Sequence, residues 1–287
     1  MSNKRTKRIL KEFQELEESR GILEDSRIYF EIQEDNINFI KAMLIGPKDT
    51  PYENGYYFFT FEYPPNYPMS PPIAKFMTNG TLKTYNNNNI HIRFNPNLYV
   101  KGKVCLSMLN TWSGPGWVPT NTITNVLVAI QALVLIENPL LNEPGFENAS
   151  IERLEKYNRI IRYANIKISI LDTLQNPLPE FSYFIPIMKS FFINNIQNIK
   201  DLIIKYQNMD ADNLFMDAGV YELKNIKEDY NYLSEYLENT IYFIQNLENS
   251  IIESNKMDDV VIQMNSMDIS DVSNEVDTNN LIDTIYT

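Results

Sequence analysis

Four short runs of β-branched and aromatic residues, Ile28 to Ile32, Ile37 to Ile45, Tyr56 to Tyr63 and Ile73 to Met77, follow one another with only short connections between them. Parallel neighbours need a crossover of about a dozen residues or more, whereas antiparallel ones need only a turn. Turn signals stand where such a chain needs them, at Glu34-Asp35-Asn36 and Glu53-Asn54-Gly55. The pattern predicts an antiparallel meander of about four strands. Prolines at 64, 65, 68, 71 and 72 cannot donate ladder hydrogen bonds, so they mark a rigid turn before the last run.

Helical periodicity surrounds this block, so the fold class is α+β. Over residues 4 to 17, Ile9, Leu10, Phe13 and Leu16 recur at helical spacing while Lys4, Arg5, Lys7, Arg8 and Lys11 cover the other faces, which predicts a basic amphipathic helix. An asparagine run at 86 to 89 reads as a solvated insertion. From 121 to 137, Asn121 and Thr122 are candidate caps for a stripe of Ile123, Val126, Leu127, Ile130, Leu133 and Val134, a central core helix that Pro139 would stop. A further helix is expected over about 150 to 174. Asn176-Pro177-Leu178-Pro179 then breaks the pattern, and 181 to 207 and 219 to 251 read as two long helices, a hairpin packed on the first domain. The division expected is a first domain over 1–175, a helical extension over 176–252 and a disordered tail over 253–287, where eight acids face one lysine.

Composition narrows the function. A chain of 287 residues with 44% hydrophobic and 22% charged residues has material for a core and is neither disordered nor fibrous. A net charge of -12 argues against a nucleic-acid partner. One cysteine, Cys105, and one histidine, His91, exclude a disulfide framework and make a metal site improbable. The opening residues are charged where a secretory signal would be apolar, and no run of about 18 apolar residues occurs, so no membrane is expected as a partner and a soluble protein of a reducing compartment is. The abundance of Asn, Ile, Lys and Tyr hints at an AT-rich genome, such as that of a large DNA virus or a protist.

The chemistry is concentrated between Arg93 and Pro119. Cys105 stands there in an irregular stretch rich in Gly, Pro and Asn, flanked by Trp112 and Trp117, as exposed reactive thiols often do. A lone cysteine is also a common core residue, and the residues alone leave both readings open. A cysteine hydrolase would need a His partner, and His91 lies fourteen positions away in a stretch that reads as flexible.

The surroundings of Cys105 resemble the active-site region of the ubiquitin-conjugating (E2) enzymes: Asn95-Pro96-Asn97 in place of His-Pro-Asn, then Gly102, then Val104-Cys105-Leu106. The likeness extends over residues 1 to 174 through Ile45-Gly46-Pro47, Thr50-Pro51-Tyr52-Glu53-Asn54-Gly55, Tyr67-Pro68-Met69-Ser70-Pro71-Pro72 and Trp117-Val118-Pro119. With Asn142-Glu143-Pro144-Gly145 these motifs resemble the extended branch holding the Z-type enzyme and the giant inhibitor-of-apoptosis E2, the Z-type closest.

That resemblance implies a UBC-like fold and an acyl carrier. Cys105 would take ubiquitin, or a ubiquitin-like modifier, from an activating enzyme (E1) as a thioester and pass it to a lysine or a ligase (E3). Asn97 would stabilise the oxyanion, hold the loop, or do both; Glu143 would orient or deprotonate the lysine, or simply face solvent. Lys4, Arg5, Lys7, Arg8 and Lys11 match the E1-binding face, and Pro68, Met69, Trp117 and Pro119 the E3-binding loops. Asn95 replaces a histidine regarded as loop-stabilising. No cofactor is implied, and no phosphate-binding glycine loop is present. The family works in cytoplasm and nucleus. The competing reading is a scaffold that binds ubiquitin without carrying it.

Overall fold

The structure, a computed structural model, describes residues 2–33, 35–209 and 215–246. Residues Met1–Glu238 form one compact unit; the remainder, Asn239–Thr287, is assigned to a second. The acidic stretch expected to be disordered lies outside the described residues.

Helix α1 (Ser2–Glu18) buries Ile9, Phe13 and Leu16 as its spacing predicts, but Leu10 faces solvent at 51% exposure. A short α2 (Arg20–Asp25) leads into β1 (Ile28–Ile32), β2 (Phe39–Ile45), β3 (Tyr56–Glu62) and β4 (Ile73–Phe76), an antiparallel sheet in the order β1-β2-β3-β4. The expected meander is present with its register intact, Ile28 opposite Leu44, Met43 opposite Phe58 and Phe61 opposite Ala74.

Every residue of β3 except Glu62 is buried, so both faces of this strand are covered. Tyr57 lies at 5.5 Å from Tyr52 and 5.6 Å from Phe94, ring to ring, and Phe59 at 5.3 Å from Phe76. Tyr56 and Phe58 point the other way, in keeping with the two-residue period of a strand. Phe58 meets Phe181 at 4.7 Å and Phe184 at 6.3 Å, while the Tyr56 hydroxyl donates to the Met188 carbonyl at 2.9 Å.

The asparagine run forms the turn between β5 (Thr81–Lys83) and β6 (Asn89–His91), with Asn87 at φ 60 and Thr84 N–H bonded to Asn88 O. The central helix α3 spans Ile123–Leu133. Thr122 caps it through a reciprocal box: its hydroxyl accepts from Asn125 N–H while its own N–H donates to the Asn125 side chain. The helix ends earlier than Pro139 would require, and Leu133, expected in the buried stripe, is 56% exposed. Its last carbonyls are claimed by side chains, Val134 O by the Asn95 amide at 2.7 Å and Leu133 O by the Asn142 amide at 2.9 Å.

Helix α4 (Ile151–Ala164) runs on through a π-helical stretch, Asn165–Asp172, into a last turn, α5 (Thr173–Gln175). After a 3-10 turn at Pro179–Phe184, α6 (Ile185–Met209) forms as the expected first helix of the extension. The second does not start where it was expected. Residues 215 to 229 form instead a hairpin of β7 (Phe215–Met216) and β8 (Ile226–Lys227), and helix resumes over 230–246. Gly219, Tyr221, Glu222 and Asn225 take positive φ and break helical geometry, and Asp229 opens the later helix by accepting from Tyr232 N–H at 2.9 Å. Leu223 and Ile226 are fully buried all the same, so the apolar spacing that suggested one helix is satisfied by a hairpin followed by a helix.

The hairpin is tied to the rest of its unit. Thr84 bridges Ile226, Tyr85 N–H donates to Asn225 O at 2.8 Å, and a largely buried Arg159–Glu228 ion pair joins it to α4. No described helix is long and apolar enough to cross a membrane.

Candidate functional site

The segment from Phe94 to Trp117 is irregular but closely bonded. Leu98 pairs with Asn95 and Val104 in isolated bridges, Tyr99 N–H donates to Lys103 O, and Phe76 N–H donates to Gly102 O at 2.8 Å. Gly102 has φ +89, and a Cβ there would stand 3.1 Å from Phe76 O. Glycine is the residue that makes this turn without strain. Beyond the cysteine, the Thr111 hydroxyl accepts from Leu106 N–H at 2.9 Å and donates to Val104 O at 2.7 Å, bracketing Cys105 on both sides.

Of the two readings the residues left open for Cys105, the structure shows the buried one, at 1% accessibility. The bonds of its neighbours give the reason: they draw Val104, Cys105 and Leu106 inward as an extended segment, all three buried. Its N–H donates to Asn97 O at 2.8 Å, which joins two of the expected site residues directly.

Asn95 organises this loop. Its amide donates to Val134 O at 2.7 Å and to the Tyr52 hydroxyl at 3.1 Å; its oxygen accepts Asn97 N–H at 2.7 Å and the Asn142 amide at 3.4 Å. All four hydrogen-bonding sites of the side chain are used, inside a fully buried position. The loop-holding work therefore falls to Asn95 and to the backbone of Asn97. The Asn97 side chain makes no hydrogen bond among the described residues, and its Oδ1 is buried without a partner. A buried acceptor without a partner is uncommon, and Nδ2 of the same side chain, the group able to donate, makes no hydrogen bond among the described residues either.

Asn142 carries the same network to Glu143, the next residue. Glu143 is half-buried, and its Oε2 accepts a hydrogen bond from the Tyr221 hydroxyl in the β7–β8 hairpin. Burial pushes the Tyr221 phenol above its ordinary range, and the bond to Glu143 pushes the same way, so Tyr221 remains a donor at neutral pH. The Arg93 guanidinium lies over both the Tyr99 ring, at 4.0 Å, and the Tyr221 ring, at 4.3 Å. Sequence reasoning missed Tyr221 and Arg93; their approach is a tertiary event with no local signal.

The basic residues of α1 divide in two. Arg5 donates to Pro64 O at 2.9 Å and Tyr63 O at 2.7 Å, and Arg8 to Glu12 at 2.9 Å and Asn121 O at 2.9 Å, so both fasten the helix to the core. Lys4, Lys7 and Lys11 face solvent. The ligase-facing set divides likewise. Trp117 is buried, its indole N–H donates to Pro68 O at 2.7 Å, and it locks the two loops together, whereas Met69 is 71% exposed. Pro119 is exposed and Pro68 half-buried. Val118, which the sequence reading had not singled out, adds a second exposed apolar side chain.

His91 is exposed at the end of β6, and no hydrogen bond joins it to buried Cys105. Among the described residues no cluster of His, Cys, Asp or Glu is suited to hold a metal.

Comparison with known proteins follows the same lines. The family model described as "Ubiquitin-conjugating enzyme" matches residues 8–164. The chain is 47% identical over 141 residues to the human protein "Ubiquitin-conjugating enzyme E2 Z", covering 49% of this chain and 37% of that one. It is 34% identical over 232 residues to the Caenorhabditis elegans "Probable ubiquitin-conjugating enzyme protein 17", covering 78% and 30% respectively. With the human "Dual E2 ubiquitin-conjugating enzyme/E3 ubiquitin-protein ligase BIRC6" it shares 35% identity over 202 residues, 67% of this chain and 4% of that protein. The match thus spans well under half the length of each relative, and the branch expected from the motifs around Cys105 is the branch found.

Proposed function

Because this chain belongs to the ubiquitin-conjugating enzyme family, we propose that it carries ubiquitin or a ubiquitin-like modifier as a thioester on Cys105 and passes it to a lysine or a ligase. A sulfur nucleophile suits an acyl group that must move twice, since it attacks an existing thioester readily and leaves a product still activated toward an amine. In the first step the Cys105 thiolate adds to the thioester carbonyl presented by an activating enzyme, and that enzyme's thiolate departs and takes up the proton Cys105 gave up. In the second, a lysine amine adds to the new thioester, loses a proton, and expels the Cys105 thiolate as the isopeptide bond forms.

The second addition, onward to a lysine, passes through a tetrahedral oxyanion. Asn97 is assigned as its donor, a contribution of about 3 kcal/mol for a well-placed amide. The observation that carries this reading is the division of labour between two asparagines: Asn95 holds the loop with every valence of its side chain, and Asn97, bonded by backbone to Cys105, has an Nδ2 that donates to no described group. Glu143 is assigned to orient the incoming lysine and receive its proton, on the loop that Asn142 joins to the same network.

Lys4, Lys7 and Lys11 form the face offered to an activating enzyme, where charge complementarity mainly speeds encounter. Met69, Val118 and Pro119 form an apolar contact for a ligase, braced from behind by Trp117. No cofactor takes part. The domain division proposed is a catalytic core over 1–175 and an extension from 176.

The burial of Cys105 favours a second reading, a scaffold that binds ubiquitin without carrying it. Incubation with activating enzyme, ATP and ubiquitin followed by a nonreducing gel separates the two. A reductant-sensitive adduct that is lost or becomes a stable oxyester in Cys105→Ser supports the carrier; no adduct in the parent chain supports the scaffold. Such an adduct persisting in Cys105→Ser would overturn the assignment of the cysteine.

A further inference from the structure

We propose that Tyr221, supplied by the extension, is a positioning residue for lysine transfer: its hydroxyl holds the Glu143 carboxylate at the site while its ring is held against Arg93. The inference rests on the reading of Glu143 given above and adds that the catalytic loop is completed by a residue outside the matched family region, which ends at 164.

Three observations carry it. The Tyr221 hydroxyl ties up one oxygen of Glu143, Oε2, and no other described group is bonded to that carboxylate, so Tyr221 alone restrains its direction. The ring has a fixed seat. Tyr221 and Tyr99 each contribute a face to the Arg93 guanidinium, Tyr157 meets Tyr221 edge-on at 6.1 Å, and the Tyr157 hydroxyl donates to the backbone of Arg93 at 2.6 Å. Arg93 and Tyr99 flank the Asn95–Asn97 loop in sequence, so the seat belongs to the loop that bears the oxyanion donor. Finally, Tyr221 has φ 53 and Glu222 φ 61, a left-handed pair without glycine. Bulky L residues rarely take that conformation, and where they do the surrounding structure enforces it, often at a functional site. Here the enforcement is the β7–β8 pairing, the Tyr85–Asn225 bond and the Arg159–Glu228 ion pair.

A carboxylate on a flexible side chain spends much of its time in rotamers that cannot meet an incoming amine. Fixing one oxygen to a rigid ring leaves Oε1 presented in a restricted arc, and orientation of this kind acts on the transfer step.

The test uses the full chain and a cycle of variants: Tyr221→Phe, which keeps the ring over Arg93, Glu143→Ala, and both together. Each is charged with ubiquitin by activating enzyme and discharged to free lysine, and the discharge rate is divided by the charging rate. Tyr221→Phe is expected to lower that ratio about threefold to tenfold, and the double variant to match Glu143→Ala alone, because a positioning residue has nothing left to position. The deficit of Tyr221→Phe should also shrink as pH rises, in parallel with that of Glu143→Ala. Discharge by Tyr221→Phe at the parent ratio or above it, or an additive double variant, overturns the role of Tyr221. Normal discharge by Glu143→Ala alone overturns the reading of Glu143 beneath it, so the two failures are told apart by a single variant.

Discussion

Strand β3 is lined on one face mainly by residues near it in the chain, Tyr52, Phe76 and Phe94, with Asn165 reached by the Tyr57 hydroxyl, and on the other by residues of the extension as far as 132 positions away, at Met188 and its neighbours. The near face belongs to the core of the ubiquitin-conjugating fold, and through Phe94 and Tyr52 it adjoins the Asn95 loop. The far face would be open were the chain to stop at the end of α5. A strand with one wet face alternates apolar and polar residues, whereas Tyr56-Tyr57-Phe58-Phe59 does not alternate at all. Such a run announces two covered faces before the cover is known. The part of the extension up to Glu238 thus belongs to the same compact unit as the strand it covers.

The sharpest way to break that comparison is to remove an aromatic side chain from the cover. Phe184 is fully buried against Phe58, so Phe184→Ala should cost about 3–5 kcal/mol, as a buried aromatic truncation does within a core. Chemical denaturation measures it. A loss below about 1 kcal/mol would mean that the far face is only loosely covered.

The next contrast lies within the near face, between two asparagines two positions apart. Asn97→Ala should leave stability almost unchanged and slow discharge to lysine by about a hundredfold, since its amide is uncommitted at rest. Asn95→Ala should cost about 1–3 kcal/mol, since it strips partners from Val134 O and Asn97 N–H, both within the buried network. Thermal melts and discharge assays on the pair sharpen the division; equal effects on stability would erase it.

A smaller effect tests how buried the thiol is in solution. With Cys105 at 1% exposure, alkylation by a small reagent should be at least tenfold slower in the folded chain than after denaturation, and should accelerate in Thr111→Val, which loses the hydroxyl that brackets the cysteine. Equal rates folded and unfolded would show that the cover over Cys105 opens freely.

The smallest effect concerns Glu12, which lies inside the junction of α1, Tyr67 and the start of α3. Its carboxylate accepts from Tyr67, from Arg8 at 2.9 Å and from Ile123 N–H at 3.2 Å, yet burial outweighs these and raises its pKa. The folded chain then binds a proton that the unfolded chain has already released, so this residue's contribution to stability is full below the usual value of about 4.3 and declines as pH rises through the raised folded value. Glu12→Gln should flatten that slope, whatever its offset in stability from the altered hydrogen bonds to Tyr67, Arg8 and Ile123. A slope that persists in the variant would assign the pH dependence elsewhere.

What could be read from the sequence follows the range of the forces involved. The meander, the Thr122 cap and the motifs around Cys105 are local patterns and were legible as such. The early end of α3 was not, because the groups that claim its last carbonyls come from Asn95 and Asn142, outside the helix. The hairpin at 215–227 was hidden because apolar spacing of three and four suits a helix, and of the four left-handed residues that interrupt one, Gly219, Tyr221, Glu222 and Asn225, three are not glycine. Charge counted along α1 could not distinguish Arg5 and Arg8, spent on carbonyls and a buried carboxylate, from the solvent-facing lysines, of which Lys11 pairs at the surface with Glu15. Nor could Tyr221 be placed beside Glu143, 78 positions earlier, without a fold to join them.

The two amides that take the final carbonyls of α3 also set a limit on how such a chain can vary. They work as a caliper with one jaw on the helix and the other on the loop that leads to Cys105. One residue added between Ile130 and Val134 would turn the following carbonyl by roughly 100° about the helix axis and take it out of the jaw. Insertions should therefore be tolerated at the outer turn of the β5–β6 hairpin, where the exposed asparagine run already sits, and refused at the end of the central helix, where Ile130 and Val134 are fully buried.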